Sequence, residues 1–486
     1  MTRLLVGPFN RVEGDLEVRL EIEHGRVREA FVTSTLYRGF ETMLNGRDPM
    51  DALTIVPRIC GICSLSQSVA AARALAALAG AAAPPNGVHV VNLMSATENL
   101  ADHVTHFYLF FMPDFARPAY RAQPGFAELE RRFAAGRGEH AARAMAARQR
   151  WFTIMGTLGG KWPMSGSVVP GGSARALQPS ECLRLLALVR EFRAFAEETL
   201  FGAPLEAVAA IADEAALDAW VERDPAAGDL RLFLGLVRSL GLDRLGRGPG
   251  RTLSYGAYPQ PGSSAIVPRG VWDETSGALN TLDLGAIRED ISHAWMADER
   301  GIPRHPREGI TQPAPDKHGA YTWNKAPRLA RHVVETGAIA RQLVAGQPLV
   351  RAAVARCGAT VYTRVLARLL EVAIVLPLME QWLQSLVPRE PFYAASRLPE
   401  EGDSVGLTEA ARGALGHWLS VRNGRIANYQ IVAPTSWNFS PRDGDGTPGA
   451  LEAALVGTPV AAGDAMPLAV QHVVRSFDPC MVCTVH

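Results

Sequence analysis

Residues 57–63 read PRICGIC and residues 477–486 read FDPCMVCTVH, so each end of the chain carries one Cys-x-x-Cys pair. Two intervening residues let both thiols of such a pair face one metal ion from a turn or from a helix N-terminus, which also favours the thiolate. Cys63 and Cys480 lie 417 positions apart (480 − 63). A local zinc ribbon, whose second pair follows within about 20 residues, is therefore excluded. If both pairs serve one site, most of the chain must fold around it.

The two pairs leave three interpretations open. Four thiolates suit a soft metal held between the chain ends. A structural zinc ion joining the ends, or two independent thiol redox pairs, would use the same residues. The remaining cysteines, Cys182 and Cys357, stand alone in apolar helical contexts and are predicted to be core residues.

The composition excludes several classes of protein. Lys plus Arg and Asp plus Glu both number 49, so the formal net charge is zero, which argues against a nucleic-acid-binding protein. Hydrophobic residues make up 48% of the 486, enough for a large core and too many for a disordered chain. Six cysteines are too few for a disulfide scaffold.

No targeting or membrane segment is predicted. The apolar run near the N-terminus, Leu4 to Val6, is too short for a signal peptide, and no stretch of about 18 apolar residues occurs. We therefore expect no direct membrane insertion and a cytoplasmic location. A subunit without its own signal can still be carried across a membrane by a partner that has one.

The hydrophobic pattern predicts a mainly α-helical chain with small β elements. Residues 15–34 alternate about His24-Gly25 and predict an antiparallel hairpin. Ser64 is a candidate N-cap for a helix to about Gly80, and Ser95 with Glu98 forms a candidate capping box for a helix over 95–112. Further helices are predicted at 180–201, 203–222, 228–240, 328–346, 348–356 and 360–386, with a strand at Arg425 to Val432. We expect one large helical domain over residues 1–486.

Around the cysteines, the sequence resembles the large subunit of nickel–iron hydrogenases. The resemblance covers nearly the whole chain, because its motifs occur in the family's order. They are RVEG (11–14), YRGFE (37–41), PRICGIC (57–63), DHVTHFY (102–108), GGK (159–161), WNKAPR (323–328), EAARGALGHW (409–418), NYQIVAPTSWNFSPRD (428–443) and DPCMVCTVH (478–486). Each motif is weak alone, and their joint order and spacing make the match specific. It implies the helical fold of that family.

The resemblance implies a bimetallic nickel–iron centre. Cys60 and Cys480 would be terminal nickel ligands, and Cys63 and Cys483 would bridge nickel to an iron that carries carbon monoxide and cyanide ligands. Thiolates are soft ligands and suit both metals. Dihydrogen would be the substrate, split heterolytically with the proton passing to a nearby base. Cys480 would be the first proton acceptor.

The resemblance also assigns roles to residues around the metals. Glu13, in RVEG, matches the family's proton-relay glutamate. Arg412 would lie over the open side of the metals and hydrogen-bond a cyanide, with Asp102 and Asp478 orienting its guanidinium. Thr435 would donate a hydrogen bond to the second cyanide. Without the resemblance, Arg412 would read as a helix-surface charge and Glu13 as a solvated charge at a strand edge.

A second metal position is implied near the C-terminus. Glu41, the backbone carbonyl of Ile431 and the imidazole of His486 match the family's magnesium site, and oxygen-rich octahedral coordination suits that ion. Bound there, the ion would pin the C-terminal segment and hold Cys480 and Cys483 in place.

The chain departs from the catalytic members at several positions. Gln67 stands where they often have a histidine, so it keeps a hydrogen-bond donor near the bridging thiolates but removes a titratable group. Ala411 replaces a proline, and Met164 replaces a histidine. Ile62 and Phe110 are bulkier than the usual residues at the mouth of the gas channel, and they would narrow it against dioxygen.

With these departures the sequence resembles the regulatory, hydrogen-sensing subgroup. The end of the chain at His486, where family precursors carry an extension, adds to that resemblance. The expected function is therefore an oxygen-tolerant hydrogen sensor that signals to a histidine kinase. The alternative is a conventional uptake hydrogenase in its mature form. The related quinone-reducing complex subunit lacks the metal-binding cysteines, so the four thiols argue against it.

A partner subunit is required for electron transfer. Once four cysteines are assigned to the metals, only the isolated Cys182 and Cys357 remain, which cannot hold an iron–sulfur cluster. We therefore expect a separate small subunit that carries iron–sulfur clusters, docked through a large permanent interface.

Overall fold

The computed structural model describes residues 2–297 and 301–484. Seventeen α-helices occur in these residues. They are α1 (Phe40–Leu44), α2 (Ala52–Ile55), α3 (Ser64–Ala79), α4 (Pro85–Thr105), α5 (Phe126–Phe133), α6 (Glu139–Trp151), α7 (Thr153–Gly159), α8 (Pro179–Phe195), α9 (Leu205–Ala209), α10 (Glu214–Arg223), α11 (Asp229–Leu240), α12 (Ala338–Val344), α13 (Pro348–Cys357), α14 (Val361–Gln384), α15 (Pro434–Asn438), α16 (Ala450–Leu455) and α17 (Leu468–Ser476).

Thirteen short strands in the same residues form five antiparallel sheets, ordered β1-β2-β3, β4-β5, β6-β7-β8, β10-β9 and β11-β12-β13. They are β1 (Thr2–Val6), β2 (Leu16–Glu23), β3 (Arg26–Ser34), β4 (Val168–Val169), β5 (Gly172–Ser173), β6 (Arg251–Ser254), β7 (Gly270–Asp273), β8 (Ala278–Asn280), β9 (Ile287–Asp290), β10 (Ala326–Leu329), β11 (Gly402–Ala410), β12 (Gly413–Arg422) and β13 (Arg425–Val432). The predicted fold class, mainly helical with small β elements, is confirmed.

The N-terminal hairpin forms as its alternation predicts. β2 and β3 pair antiparallel about His24 and Gly25, which both have left-handed backbone angles (φ 51° and 71°) that suit a tight two-residue turn. β1 adds a third strand, which pairs with β2. The apolar face of the sheet packs into the largest core, which runs from Val6 to Met481 and so includes both ends of the chain.

The second predicted helix differs from the structure in its start and its end. The helix begins at Pro85, because a proline at the first helical position has a preset φ and no N–H to satisfy. It ends at Thr105, where the turns widen into a π-helix, His106–Phe111. Ser95 and Glu98 therefore lie inside α4 and form no capping box.

The predicted helix over 328–346 is also partly wrong. Its first residues form β10, paired with β9, and α12 begins only at Ala338. Gly337 precedes α12 with φ 133°, a backbone angle that interrupts a continuous helix.

The predicted helix over 203–222 is split into α9 and α10, and Asp213 caps α10 by accepting a hydrogen bond from the N–H of Ala216.

The C-terminal sheet is larger than the single predicted strand. β11, β12 and β13 pair in order, and α3 packs against β11 and β12. The approach is close at Gly406, where a Cβ atom would lie 1.9 Å from the carbonyl oxygen of Ala70. Glycine is needed at this position because any side chain would push the helix off the sheet. This packing places the N-terminus of α3, and with it Cys63, beside the sheet.

α14 is the long central helix and packs against α4, α8, α9 and α12. Within the described residues, no helix is both long enough and apolar enough to cross a membrane.

Candidate metal centre

The two Cys-x-x-Cys pairs meet in the interior. The Sγ atoms lie 3.3 Å apart for Cys60 and Cys480, 3.1 Å apart for Cys63 and Cys483, and 3.2 Å apart for Cys480 and Cys483. All four sulfurs lie within 4.8 Å of one another, and all four residues are buried and free of disulfides. Two independent redox pairs would not be arranged in this way. The geometry is that of one four-thiol site.

Local structure explains how each pair presents its sulfurs. Cys63 immediately precedes α3, and the Sγ of Cys60 accepts hydrogen bonds from the backbone N–H groups of Ile62 (3.3 Å) and Cys63 (3.4 Å). Cys480 directly precedes the 3₁₀ turn Met481–Cys483, and Cys483 is the last residue of that turn. Each turn folds its two thiols toward the same point.

The electrostatics of the four thiols favour bound cations. Hydrogen bonds from the neighbouring thiols, first of all Cys480, lower the pKa of Cys60 well below its ordinary value. For Cys63 the pKa is raised well above its ordinary value, and the hydrogen bond with Cys480 is the largest cause. The sulfurs thus share protons, because four buried negative charges so close together are strongly unfavourable. Metal cations would allow all four to ionise, and the all-sulfur donor set fits nickel and low-spin iron.

Arg38 ties the two cysteine segments together. Its Nη2 donates to the carbonyl oxygen of Val482 (2.6 Å) and to that of Ile59, so one guanidinium holds both turns. Arg38 lies within the motif YRGFE, but neither the motif nor the resemblance predicts a role for it. An arginine can donate to two acceptors at once, but the acceptors of Arg38 are backbone carbonyl oxygens, and no sequence motif identifies such acceptors.

Glu13 lies next to the C-terminal pair, as expected. Its backbone N–H donates to the carbonyl oxygen of Pro479 (3.3 Å), and its carbonyl oxygen accepts from the N–H of Met481 (2.7 Å). The side chain is half-buried. Burial, and after it the charge of Cys60, raise the pKa of the Glu13 carboxyl group above its ordinary value, and Arg412 opposes them. A carboxyl group with a raised pKa beside the thiols is suited to accept and release protons.

Arg412 is held between the two expected carboxylates. It occupies the turn between β11 and β12, so it is not a helix-surface charge. Its Nη1 lies 2.9 Å from Oδ2 of Asp102, and its Nη2 donates to Oδ1 of Asp478 (3.0 Å). Its Nε donates to the carbonyl oxygen of Asp478 (2.9 Å). All three residues are buried.

The two carboxylates differ in their environments. Burial raises the pKa of Asp102 to about 8, against the opposing charge of Arg412. Burial acts in the same direction on Asp478, but there Arg412, His106 and Arg368 outweigh it and lower the pKa of the carboxyl group. The contacts agree, because Arg412 donates two hydrogen bonds to Asp478 and approaches Asp102 with Nη1 alone.

A layer of buried charges stands behind Arg412. Arg341 forms a bidentate ion pair with Glu371 and another bond to Glu409, and it donates to the carbonyl oxygens of Ala410 (2.8 Å) and Ala411 (3.0 Å). These carbonyls belong to the two residues that precede Arg412. Neither Arg341 nor Glu371 could be predicted from sequence, because their partners are far away in the chain.

The remaining predicted residues take the following places. Thr435 is buried in the first turn of α15, which packs against the 3₁₀ turn that carries Cys483. Gln67 is buried in α3, and its Oε1 lies 2.8 Å from Nε2 of His417. Its Nε2 has no hydrogen-bond partner within the described residues.

The two residues predicted for the gas channel lie in different surroundings. Ile62 is half-buried and packs with the apolar cluster that contains the four cysteines. Phe110 lies in the π-helix, also half-buried, and among the described residues it is not a member of that cluster. Arg11 donates a 3.3 Å hydrogen bond to the carbonyl oxygen of Phe110.

The expected magnesium position is partly within the described residues. Glu41 is buried, and its Oε1 accepts from the N–H of Ile431 (2.8 Å); His486 lies outside the described residues. Lys325 Nζ lies 3.2 Å from Glu41 Oε2 and 3.7 Å from Glu289 Oε2. Burial raises the pKa of Glu289 to about 7. Glu289 is therefore only partly ionised at neutral pH, and a divalent cation bound by the oxygens of Glu41 and Glu289 would favour its ionised form.

Comparison with known proteins agrees with this geometry. The model of the nickel-dependent hydrogenase family matches residues 38–124 and 128–486. The chain is 28% identical to the periplasmic [NiFeSe] hydrogenase large subunit of Desulfomicrobium baculatum and 29% identical to the uptake hydrogenase large subunit of Rhodobacter capsulatus. Each alignment covers 100% of this chain and 95% of the relative.

A solved structure gives the same result. The Ni-Fe-Se hydrogenase from D. vulgaris Hildenborough in the reduced state superposes with a TM-score of 0.86 at 29% identity, and the match covers 100% of both chains. The fold and the buried four-thiol site thus define a hydrogenase, and the chain belongs to the nickel-dependent hydrogenase family. It is a large subunit of the nickel–iron type, a hydrogen oxidoreductase that works with a small subunit.

Proposed function

We propose that this chain is the large subunit of an uptake hydrogenase, which oxidises dihydrogen and passes the electrons to an iron–sulfur small subunit. The observation that carries the proposal is the buried four-thiol site, with the backbone of Glu13 paired to the segment of Cys480 and Arg412 held between Asp102 and Asp478. The names of the relatives, which include uptake and periplasmic hydrogenases, support an enzyme of this type.

A nickel–iron centre held by the four cysteines would supply heterolytic splitting of dihydrogen. The protein contributes proton handling and a dry, charged surrounding. The Cys480 thiolate would accept the proton first, and Glu13, whose backbone pairs with that of Cys480, would take it onward. Arg412 supplies fixed hydrogen-bond donors over the site, and because Asp478 already orients them, they need no rearrangement during the reaction.

Metal analysis with infrared spectroscopy tests the proposal. The purified two-subunit complex should contain one nickel and one iron per large subunit, and its infrared spectrum should show bands from carbon monoxide and cyanide. A complex that contains only zinc at the four thiols would contradict a hydrogenase. Magnesium at Glu41, and iron–sulfur clusters in the partner, are parts of the same proposal.

A second candidate function is hydrogen sensing with a histidine kinase as partner. Specific residues favour it: Gln67 replaces a titratable histidine beside the cysteines, and Ile62 and Phe110 are bulky at the expected gas channel. A sensor would turn over slowly, keep its activity in air and bind a kinase. Fast dye-linked dihydrogen oxidation that is lost in air would favour the uptake enzyme. For either function we propose a cytoplasmic location, which fractionation of cells would test.

A further inference from the structure

A single buried carboxylate, Asp114, joins three segments that surround the metal centre. It ends the 3₁₀ turn Met112–Asp114, which directly follows the π-helix, and its side chain has no solvent exposure. Its Oδ1 accepts a hydrogen bond from Nη2 of Arg11, and its Oδ2 accepts one from Nη1 of Arg475 (2.6 Å). We propose that Asp114 is a positioning residue that holds Glu13 beside Cys480. This inference rests on the proton-transfer role proposed above for Glu13.

Asp114 is connected to the segment with Glu13 through Arg11. Arg11 has a left-handed backbone (φ 55°), which is uncommon for a residue with a side chain and persists where the surroundings hold it. Its guanidinium is fixed at two points, Asp114 and the carbonyl oxygen of Phe110. Glu13 follows two residues later. The side chain of Arg11 therefore sets the path of the backbone that delivers Glu13 to the metal centre.

Asp114 is connected to the segment with Cys480 through Arg475, which lies on α17 five residues before Cys480. Besides Asp114, Arg475 binds the N-terminal segment directly, since its Nη2 donates to Oδ1 of Asn10 (2.7 Å) and to its carbonyl oxygen (3.1 Å). Asp114 thus holds the segment with Glu13 and the segment with Cys480 through one carboxylate. The backbone pairing of Glu13 with Pro479 and Met481 lies just beyond this junction.

The charges explain why a carboxylate is needed. Nη1 of Arg117 lies 3.6 Å from Oδ1 of Asp114, and Nδ1 of His472 lies 3.5 Å from Oδ2. Burial raises the pKa of Asp114, but the contact with His472 and the charges of Arg475 and Arg11 outweigh it and lower the pKa well below its ordinary range. A neutral side chain here would leave the two bound guanidinium groups without a counter-charge, and they would separate.

The test uses the two-subunit enzyme with its metals and the isosteric variant Asp114→Asn. Exchange of deuterium gas with water protons reports proton transfer at the site. We expect this exchange to fall by about 10- to 100-fold, because misplacing a reacting group by about 1 Å costs up to that much. Nickel and iron contents and the infrared bands should stay unchanged. In a Glu13→Gln background, adding Asp114→Asn should cause no further loss, because the placement that Asp114 maintains matters for exchange only while residue 13 can carry a proton.

A matched control separates positioning from general loosening. Asp229 is another fully buried carboxylate, bound by Tyr108 (2.6 Å), Arg132 (2.9 Å) and His140 (2.9 Å), and none of these three is a residue that binds Asp114 or Arg11. Asp229→Asn should leave the exchange rate unchanged. If Asp114→Asn yields no folded complex, Arg11→Lys replaces it; lysine keeps the charge but cannot span two acceptors, so an intermediate loss of exchange is expected.

Four outcomes would overturn the inference. The first is a wild-type exchange rate in Asp114→Asn, or in Arg11→Lys if that variant is used instead, and the second is an equal loss of exchange in Asp229→Asn. The third is a loss of metal or a shift of the infrared bands in the Asp114 variant. The fourth is a further loss of exchange when Asp114→Asn is added to Glu13→Gln. Failure of the proposed relay is distinguishable, because Glu13→Gln alone would then exchange at the wild-type rate. A reduced rate in Glu13→Gln with a normal rate in Asp114→Asn would count against Asp114 only.

Discussion

Replacing Arg341 by lysine tests the buried charge layer behind Arg412. Arg341 is fully buried and makes five hydrogen bonds: two to Glu371 (2.7 and 2.6 Å), one to Glu409 (2.9 Å) and one to each carbonyl oxygen of Ala410 and Ala411. Lysine keeps the positive charge, so the substitution removes the planar fork of donors and little else.

The size of the effect follows from the contacts. A lysine ammonium group has three donors, so at least two of the five acceptors lose their bond. Each buried polar group left unpaired costs about 1–3 kcal/mol, which gives about 2–6 kcal/mol in total. Unfolding entropy of about 2.1 cal/mol/K per residue amounts to about 1 kcal/mol/K for a chain of 486 residues. The melting temperature should therefore fall by about 2–6 °C.

The assay is scanning calorimetry of the metal-loaded complex, with all variants at one scan rate. Arg356→Lys is the matched control, because Arg356 also binds two carboxylates, Glu214 (2.6 and 2.8 Å) and Asp243 (2.7 Å), but its side chain is 45% exposed. Exposed pairs contribute about 0–1 kcal/mol, so this variant should melt within about 1 °C of the wild type. Equal shifts in the two variants would refute the reasoning that burial makes the Arg341 contacts costly to lose.

Three further predictions concern the metal centre. Glu13→Gln keeps the shape and removes the titratable group, so exchange of deuterium gas with water should fall by about 100-fold or more while the metal content stays normal; unchanged exchange would reject the relay. Glu41→Ala should lower the yield of metal-loaded chain measured by elemental analysis, and full loading would contradict the magnesium role. Ile62→Val combined with Phe110→Leu should widen the expected gas channel, so activity measured in air should drop; retained activity would count against the channel hypothesis.

The features that sequence analysis predicted well are set by local pattern or by specific motifs. The hairpin about His24 follows from strict alternation, and α14 from a long apolar helical period. The meeting of Cys60 with Cys480 followed from the family resemblance, since the Cys-x-x-Cys spacing alone left two independent redox pairs open. The neighbours of Arg412 followed only from the family resemblance, since nothing local to Asp102 or Asp478 indicates that they face one guanidinium.

What could not be predicted depends on distant partners. Glu98 illustrates this: its capping-box spacing is correct, yet its carboxylate accepts hydrogen bonds from the N–H groups of Leu65 and Ser66 and so caps α3 instead of its own helix. Arg341 and Asp114 carry no local signal either, because each is defined by charges brought together from several segments. In each case tertiary burial, and not sequence spacing, decides which donor meets which acceptor.

The junction of the two cysteine pairs has a practical consequence for protein engineering. Cys63 and Cys480 lie 417 positions apart. Cutting the chain in an exposed loop between the two cysteine pairs would therefore give two fragments, each with one pair. Neither fragment alone would contain all four cysteines of the metal site, whereas the reassembled fragments would. Metal uptake would then report fragment complementation, and its affinity would measure how strongly the two parts recognise each other.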